Sequence, residues 1–216
     1  MSYIADSVAS TIALYAGLID EAAWSRPAVE QLGLQATRLL DGHRRCEPGA
    51  YVELSNWLPE LVGCSAEWIW SVNISEDETR RALARQHGYL AWATVEASDV
   101  RPIAMFECAV GAVLAGELDE LERLFHKAPE LATMRSHFGH RATLLHYLGA
   151  NGVETYRQRV PSNAAAVAAW LLSRGADVGA TADMYGGGQT ALGLVLTSAH
   201  PAAAGVTDEL ARVLRG

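Results

Sequence analysis

The chain has 216 residues, of which 50% are hydrophobic and 19% are charged, and its formal net charge is −8. This composition can bury a sizeable core, whereas the excess of acidic residues disfavours nucleic acid as a partner, because phosphate binding needs clustered Lys and Arg. No apolar run approaches the roughly 20 residues of a membrane-spanning helix, and no Lys or Arg precedes Arg26 to begin a secretory signal, so we expect a cytoplasmic protein that does not bind membranes.

Hydrophobic residues at helical spacing run through the first hundred residues. One set follows steps of three and four, which predicts the apolar face of an amphipathic helix: Ile4, Val8, Ile12, Tyr15 and Ile19. The pattern recurs over residues 29–40 and 54–62, which predicts two further helices. The intervening residues 41–50 combine two glycines and a proline with charged side chains, and we predict a loop there.

A helix start is encoded in the segment Ser75–Glu78. It has the form of a capping box, in which the serine hydroxyl and the glutamate side chain bind free backbone amides. We therefore predict one helix from Glu76 to about His87 and a short one from Tyr89 to Ala97. The break that follows divides the chain into an N-terminal helical region, residues 1–100, and a second region, residues 101–216.

The second region is predicted to contain about three helix–turn–helix units. The first pairs a helix over residues 106–113 with a second helix, Leu118–Phe125. The second unit begins at Thr143–His146 and closes with Val167–Leu172, and the third, truncated unit covers Thr190–Leu214. The sequence therefore predicts an all-α fold, a short stack of helical repeats, with the N-terminal region as a cap or an extra module.

Three short stretches of the second region resemble the ankyrin repeat. They are Thr143-Leu144-Leu145-His146, which opens a helix, Asn151-Gly152, which ends it, and Gly175-Ala176-Asp177-Val178, which closes the unit. The resemblance implies stacked helix pairs with a period of about 33 residues, joined by β-turn fingers. It also implies that His146 forms hydrogen bonds with neighbouring backbone and holds adjacent units together. The fold names no reaction.

The departures from the ankyrin pattern are specific. Thr143 and Thr190 are 190 − 143 = 47 residues apart, which exceeds the ankyrin period by about 14. The excess falls in Glu154–Asn163, which lengthens the turn between the two helices of the second unit. Residues 82–201 are similar to a group of bacterial ankyrin-repeat proteins, whereas residues 1–75 carry no such resemblance.

Histidines and cysteines raise the question of a metal site. Imidazole is a common metal ligand, and four histidines could approach one another if adjacent units stack: His137, His140, His146 and His200. Their spacing matches no zinc signature, and no cysteine pair accompanies it. The three cysteines, odd in number and widely spaced, predict reduced thiols. We therefore predict neither a metal site nor a cofactor.

Polar and aromatic side chains concentrate in and after the long turn. We select them as candidate binding residues, because long insertions in compact domains are often functional: Asn151, Tyr156, Arg157, Gln158, Tyr185 and Gln189. Alternatively, the Asn, Gln and Arg side chains satisfy the backbone of an unusually long turn. The run Gly186–Gly188 lacks the lysine and the strand of a phosphate loop, and we interpret it as a tight turn in place of the ankyrin finger.

Three functions remain open at this stage. The first is a protein-binding module or adaptor, since repeat stacks form extended concave surfaces. The second is an enzyme or small-molecule-binding protein, with a pocket between the N-terminal helices and the inserted turn. Its candidate catalytic residues, as general acids, bases or anchors, are His140, His146, Tyr147, Arg157, Tyr185 and His200. The third is a homo-oligomer in which the truncated last unit packs on a second copy.

Overall fold

The computed structural model is all-α, as predicted, with thirteen α-helices and two small antiparallel sheets among the described residues. It describes the backbone of residues 1–216 and every side chain except those of residues 21 and 22. Two compact units divide the chain: the N-terminal unit, Asp6–Pro102, and the C-terminal unit, which joins Met1–Ala5 to Ile103–Gly216. No helix of the described chain combines the length and the apolarity needed to cross a bilayer.

The N-terminal unit is built from six α-helices and two 3₁₀ turns. The helices are α1 (Asp6–Leu14), α2 (Ala28–Arg44), α3 (Pro48–Trp57), α4 (Ala66–Ser71), α5 (Glu76–Gln86) and α6 (Trp92–Ser98), and the turns are Glu21–Ser25 and Pro59–Leu61. α1 packs mainly against α3, and α2 packs mainly against α5. The first helix therefore ends well before Ile19, the last residue of the predicted apolar stripe.

Most of residues 41–50 is helical, because α2 and α3 both extend into this segment. The predicted loop is therefore wrong, and helix packing explains why. A Cβ atom at Gly42 would lie 2.5 Å from Leu14 Cδ1, and one at Gly49 would collide with the main-chain oxygen of Ser10. Both glycines allow close approach between helices rather than a turn.

The capping box at the start of α5 is confirmed. The Ser75 hydroxyl accepts a hydrogen bond from the Glu78 amide at 3.3 Å, and the Ser75 amide donates to Glu78 Oε2 at 2.8 Å. These two bonds satisfy amides that have no partner within the first helical turn. A local sequence signal is sufficient here because both partners lie within four residues.

The C-terminal unit contains seven helices, four short strands and two 3₁₀ turns. Its strands are β1 (Ser2–Tyr3), β2 (Val160–Pro161), β3 (Thr181–Ala182) and β4 (Gln189–Thr190), and its turns are Pro129–Ala132 and Thr155–Arg157. Its helices are α7 (Ala104–Ala115), α8 (Leu118–Lys127), α9 (Leu144–Tyr147), α10 (Ala164–Ser173), α11 (Ala191–Thr197), α12 (Ala199–Ala203) and α13 (Thr207–Arg215).

The helices of this unit stack beside one another. α7 contacts both α8 and α9, α9 contacts α10 and α11, and α11 and α10 both contact α13. The predicted helices at Leu118–Phe125 and Val167–Leu172 are confirmed within α8 and α10. α7 is apolar on nearly all sides and is buried accordingly. The result is one continuous hydrophobic core that runs through the helices of the unit.

The first residues of the chain belong to the C-terminal unit, which the sequence pattern did not predict. β1 pairs antiparallel with β2, with Ser2 opposite Pro161 and Tyr3 opposite Val160. The Ser162 amide donates to the main-chain oxygen of Met1 at 3.0 Å. The β1 strand therefore closes the end of the inserted segment Glu154–Asn163.

Candidate functional site

The inserted segment folds inward at its start. Thr155, Tyr156 and Arg157 form a single 3₁₀ turn, and all three are buried. The side chain of Glu154, which precedes the turn, is completely buried. The insertion therefore places a carboxylate and a guanidinium in the interior of the C-terminal unit.

Arg157 binds two buried carboxylates. Its Nη2 lies 2.6 Å from Oε2 of Glu107 on α7, and its Nη1 lies 3.4 Å from Oε1 of Glu154. Nη1 also lies 3.5 Å from the hydroxyl oxygen of Tyr147, the last residue of α9. Both ion pairs are almost fully shielded from water, so their charges interact far more strongly than they would at the surface.

Aromatic rings enclose this guanidinium. Its central carbon lies 5.8 Å from the ring centre of Tyr147 and 5.6 Å from that of Tyr156, within the range of a cation–π interaction. Phe106 packs edge-on against Tyr147, with 6.4 Å between ring centres. Arg157 is therefore held by hydrogen bonds to Glu107, Glu154 and Tyr147 and by two aromatic rings nearby.

His140 completes the group. Its Nδ1 accepts a hydrogen bond from the Ala142 amide at 3.1 Å, so the neutral ring carries its proton on Nε2. That Nε2 lies 3.7 Å from Glu154 Oε1, and the ring packs edge-on against Tyr147 at 6.2 Å. We call Glu107, His140, Tyr147, Glu154 and Arg157 the buried ion cluster.

Charge is unbalanced within the buried ion cluster, since one arginine faces two glutamates. Burial raises the pKa of Glu107, and the negative charge of Glu154 adds to this effect, while the charge of Arg157 opposes it. Burial likewise raises the pKa of Tyr147 well above its ordinary value. Burial therefore disfavours the charged form of both side chains.

His146 lies beside the cluster and links the start of α9 to β4. Its Nδ1 accepts from the Thr143 amide at 3.1 Å, and its Nε2 lies 3.0 Å from the main-chain oxygen of Gln189. Because Nδ1 is an acceptor, Nε2 is the donor. Burial lowers the pKa of His146, although the bond to Gln189 opposes this. Both nitrogens thus hold neighbouring backbone, as the resemblance implies.

A second group of candidates lies at the surface. The tyrosine loop, Asp183–Gly188, connects β3 to β4, and its Tyr185 is 65% exposed. The Tyr185 hydroxyl donates to Asn151 Oδ1 at 2.6 Å, and Asn151 Nδ2 donates to Thr197 Oγ1 at 3.4 Å. Tyr185 has a φ of 51°, and the three glycines after it also have positive φ. The tyrosine loop is therefore a glycine turn, between two short strands, that presents a fixed tyrosine.

The other candidates occupy separate places. Gln158 Nε2 donates to the main-chain oxygen of Val153 at 2.9 Å, which satisfies the backbone of the long turn. His200 lies on α12, where burial lowers its pKa. Within the described residues, no hydrogen bond or ring contact joins the His200 side chain to the buried ion cluster. The predicted residues therefore divide into a buried set and a surface set.

Two members of the buried ion cluster, Glu107 and Glu154, were missed by sequence reasoning. Glu107 is the only charged residue in the twelve residues of α7. A single acid within an apolar helix is a signal of a buried partner, because an unpaired charge in a core is strongly destabilising. The sequence gives no comparable signal for Glu154.

The two sets differ in the chemistry open to them. The members of the buried ion cluster are at most 3% exposed, so no ligand reaches them in this conformation. The surface set offers a phenol ring, an amide and hydroxyl groups to an incoming molecule. No family model, no curated protein and no solved structure matches the chain.

Proposed function

We propose that the C-terminal unit is a protein-binding module of the ankyrin-repeat kind and that a partner docks on the surface around Tyr185. The observation that carries this proposal is an aromatic side chain that is 65% exposed and yet fixed by a hydrogen bond to Asn151. Tyrosine is enriched in interfaces because it supplies a large contact area and loses little conformational entropy on binding.

Local packing supports the idea of a preformed surface. A Cβ atom at Gly152 would lie 2.7 Å from Met184 Sδ and 3.1 Å from Tyr185 Cε2, so the Asn151-Gly152 turn lies directly against the tyrosine loop. A surface that is ordered before binding loses less entropy when it binds. The positive φ of Tyr185 is a strained conformation that the surrounding contacts maintain.

The surface continues along α11. Leu196 is 50% exposed, and Thr197 next to it is hydrogen-bonded to Asn151. Leu192 is half-buried one helical turn before Leu196, on the same side of the helix. An aromatic ring, an aliphatic side chain and hydrogen-bonding groups thus lie close together, which is the composition of a protein interface.

A small-molecule or catalytic site at the buried ion cluster is the second candidate. The observation that favours it is the convergence of three predicted catalytic residues, His140, Tyr147 and Arg157. Perturbed acids and bases concentrate at functional sites. This function requires the inserted segment to open, since the three side chains are closed to solvent. The exposed surface around Tyr185 needs no such opening. We therefore prefer the protein-binding function to the catalytic one.

A peptide-display selection tests the leading proposal. Random dodecapeptides are selected on the whole protein and then screened against Tyr185→Ala, with Trp68→Ala as the matched control because Trp68 is also a half-exposed aromatic residue. We expect Tyr185→Ala to weaken the binding of the selected peptides by roughly tenfold or more. The melting temperature of the protein should remain almost unchanged. Peptides that bind both variants equally well would contradict the proposal.

A further inference from the structure

The loop before α9 carries an excess of positive charge. We call Arg135–Ala142 the basic loop: its charged residues are two arginines, and it has no Asp or Glu. The whole chain, in contrast, has a net charge of −8. Such a local concentration of basic residues in an acidic chain indicates a surface that is complementary to negative charge.

No carboxylate of the described residues neutralises the arginines of this loop. Arg135 Nη1 donates to the main-chain oxygens of Arg141 at 3.0 Å and Thr181 at 2.6 Å, and forms no ion pair. Arg141 is exposed, and no hydrogen bond or ion pair of its side chain is present among the described groups. Its φ of 54° places an unneutralised arginine at the bend of the loop.

The pKa values of two histidines near these arginines reflect the same excess of positive charge. Burial lowers the pKa of His137, and the positive charge of Arg141 lowers it further. Arg135 acts in the same direction on the pKa of His146, after burial and the opposing bond to Gln189. In both cases the nearby charges that act on the ring are positive. An incoming anion would relieve this repulsion.

The basic loop lies beside the tyrosine loop. The Asp183 amide donates to the main-chain oxygen of His140 at 2.8 Å, and Arg135 donates to the main-chain oxygen of Thr181, the first residue of β3. Asp183 is exposed and is the acidic side chain of the tyrosine loop, but it lies in no ion pair with either arginine in the described structure. The unneutralised charge is therefore next to the surface proposed above for partner docking.

We infer that the partner docks through an acidic peptide segment, whose carboxylates bind Arg141 and Arg135 while an apolar residue contacts Tyr185. This inference rests on the proposed function and adds the chemistry of the partner. Arginine binds carboxylates through paired N–H donors, which gives both geometry and charge recognition. At physiological salt, interactions between charges more than about 8 Å apart are screened. The distant acidic residues of the chain therefore repel an acidic peptide only weakly.

The same dodecapeptide selection tests this inference through the composition of the peptides. Among peptides that need Tyr185, we expect Asp and Glu to be enriched about twofold over the unselected library. Arg141→Gln should weaken their binding by roughly three- to fivefold, the size of one exposed ion pair. The matched control is Arg174→Gln, which removes the same charge from an exposed arginine that is paired with Glu122.

Two further measurements, the salt dependence of peptide binding and the binding of a nucleic acid, test whether the partner is an acidic peptide. Raising NaCl from about 0.05 M to about 0.5 M should weaken the wild-type complex and have less effect on Arg141→Gln. Tyr185-dependent peptides with no acidic enrichment and no response to Arg141→Gln would overturn this inference and leave the proposed function intact. A selection with no Tyr185-dependent peptide would overturn the proposed function itself. Tighter, Arg141-dependent binding of a single-stranded dodecanucleotide would overturn the peptide assignment.

Discussion

Arg157 Nη2 lies 2.6 Å from Glu107 Oε2, a contact that joins the inserted turn to a helix fifty residues earlier in the chain. Both side chains are buried, so each charge depends on the other. Loss of one partner leaves an uncompensated charge in the core, which is far more destabilising than loss of a pair at the surface. The pair therefore fixes the inserted segment against α7.

Arg157→Met should lower the free energy of unfolding by about 3–5 kcal/mol, because it leaves two buried carboxylates without a cation. The matched control is Arg174→Met, which breaks the exposed pair with Glu122 and should change stability by less than about 1 kcal/mol. Urea denaturation followed by circular dichroism measures both. Equal losses for the two variants would show that the buried pair does not stabilise the fold.

Stability should depend on pH through Glu107. Burial raises the pKa of Glu107 in the folded state above its ordinary value of 4.5, so the folded protein binds this proton more tightly than the unfolded chain. The resulting stabilisation is complete below the unfolded pKa and is lost as pH rises through the folded pKa. Compared with Glu107→Gln, the wild type should therefore lose stability as pH increases. Parallel unfolding curves for the two proteins would refute this.

His146 should give the opposite pH dependence. Burial lowers its pKa below 6.5, so the stability from the neutral ring is complete above the unfolded pKa and is lost as pH falls through the folded pKa. Protonation removes the Nδ1 acceptor of the Thr143 amide. We expect the melting temperature of wild type to fall with acidification more steeply than that of His146→Asn. A steeper fall in the variant would rule this out.

Two glycines, one within α7 and one directly after it, should respond differently to alanine. Gly116 has a φ of 75°, and its Cβ would clash with Asn163 Oδ1 and lie 2.9 Å from Pro161 Cβ. Gly116→Ala should destabilise by about 1–3 kcal/mol. Gly111 lies within α7 with open space around it, so Gly111→Ala should stabilise by up to about 1 kcal/mol. Thermal unfolding of both variants measures these effects. A change in melting temperature of the same sign in both would contradict the structure.

Removal of residues 1–5 should loosen the inserted segment. The Ser162 amide then loses its acceptor on Met1, and β2 loses the strand paired with it. Hydrogen exchange at the amides of Val160 and Ser162 should accelerate by at least about tenfold, because these amides become accessible by local opening. Amides of α5 serve as the internal control. Unchanged protection at β2 would show that β1 does not hold it.

Local signals in the sequence predicted the local structure well. The helix at Leu118–Phe125 and the capping box at Ser75 depend on neighbours within one or two turns, and both are confirmed. The hydrogen bonds of His146 also match the motif from which they were expected. Each of these features is determined over a short stretch of chain.

The long-range features could not be predicted in the same way. The pairing of Glu107 with Arg157 joins residues fifty positions apart, and no spacing rule connects them. The glycines of residues 41–50 were interpreted as turn residues, whereas Gly42 and Gly49 serve close helix contacts. Glycine favours both uses for the same reason, the absence of a Cβ atom. Only the tertiary arrangement distinguishes a turn from a helix crossing.

The strand Ser2–Tyr3 has a consequence for synthesis on the ribosome. Its partner Val160–Pro161 is translated more than 150 residues after it. The N-terminal unit is contiguous, so it can fold while the remainder is being made. The C-terminal unit, in contrast, is interrupted in the chain by the whole N-terminal unit. Its strand β1 must therefore stay unpaired until β2 has been translated. The β1–β2 pair therefore belongs to the non-local contacts that form slowly.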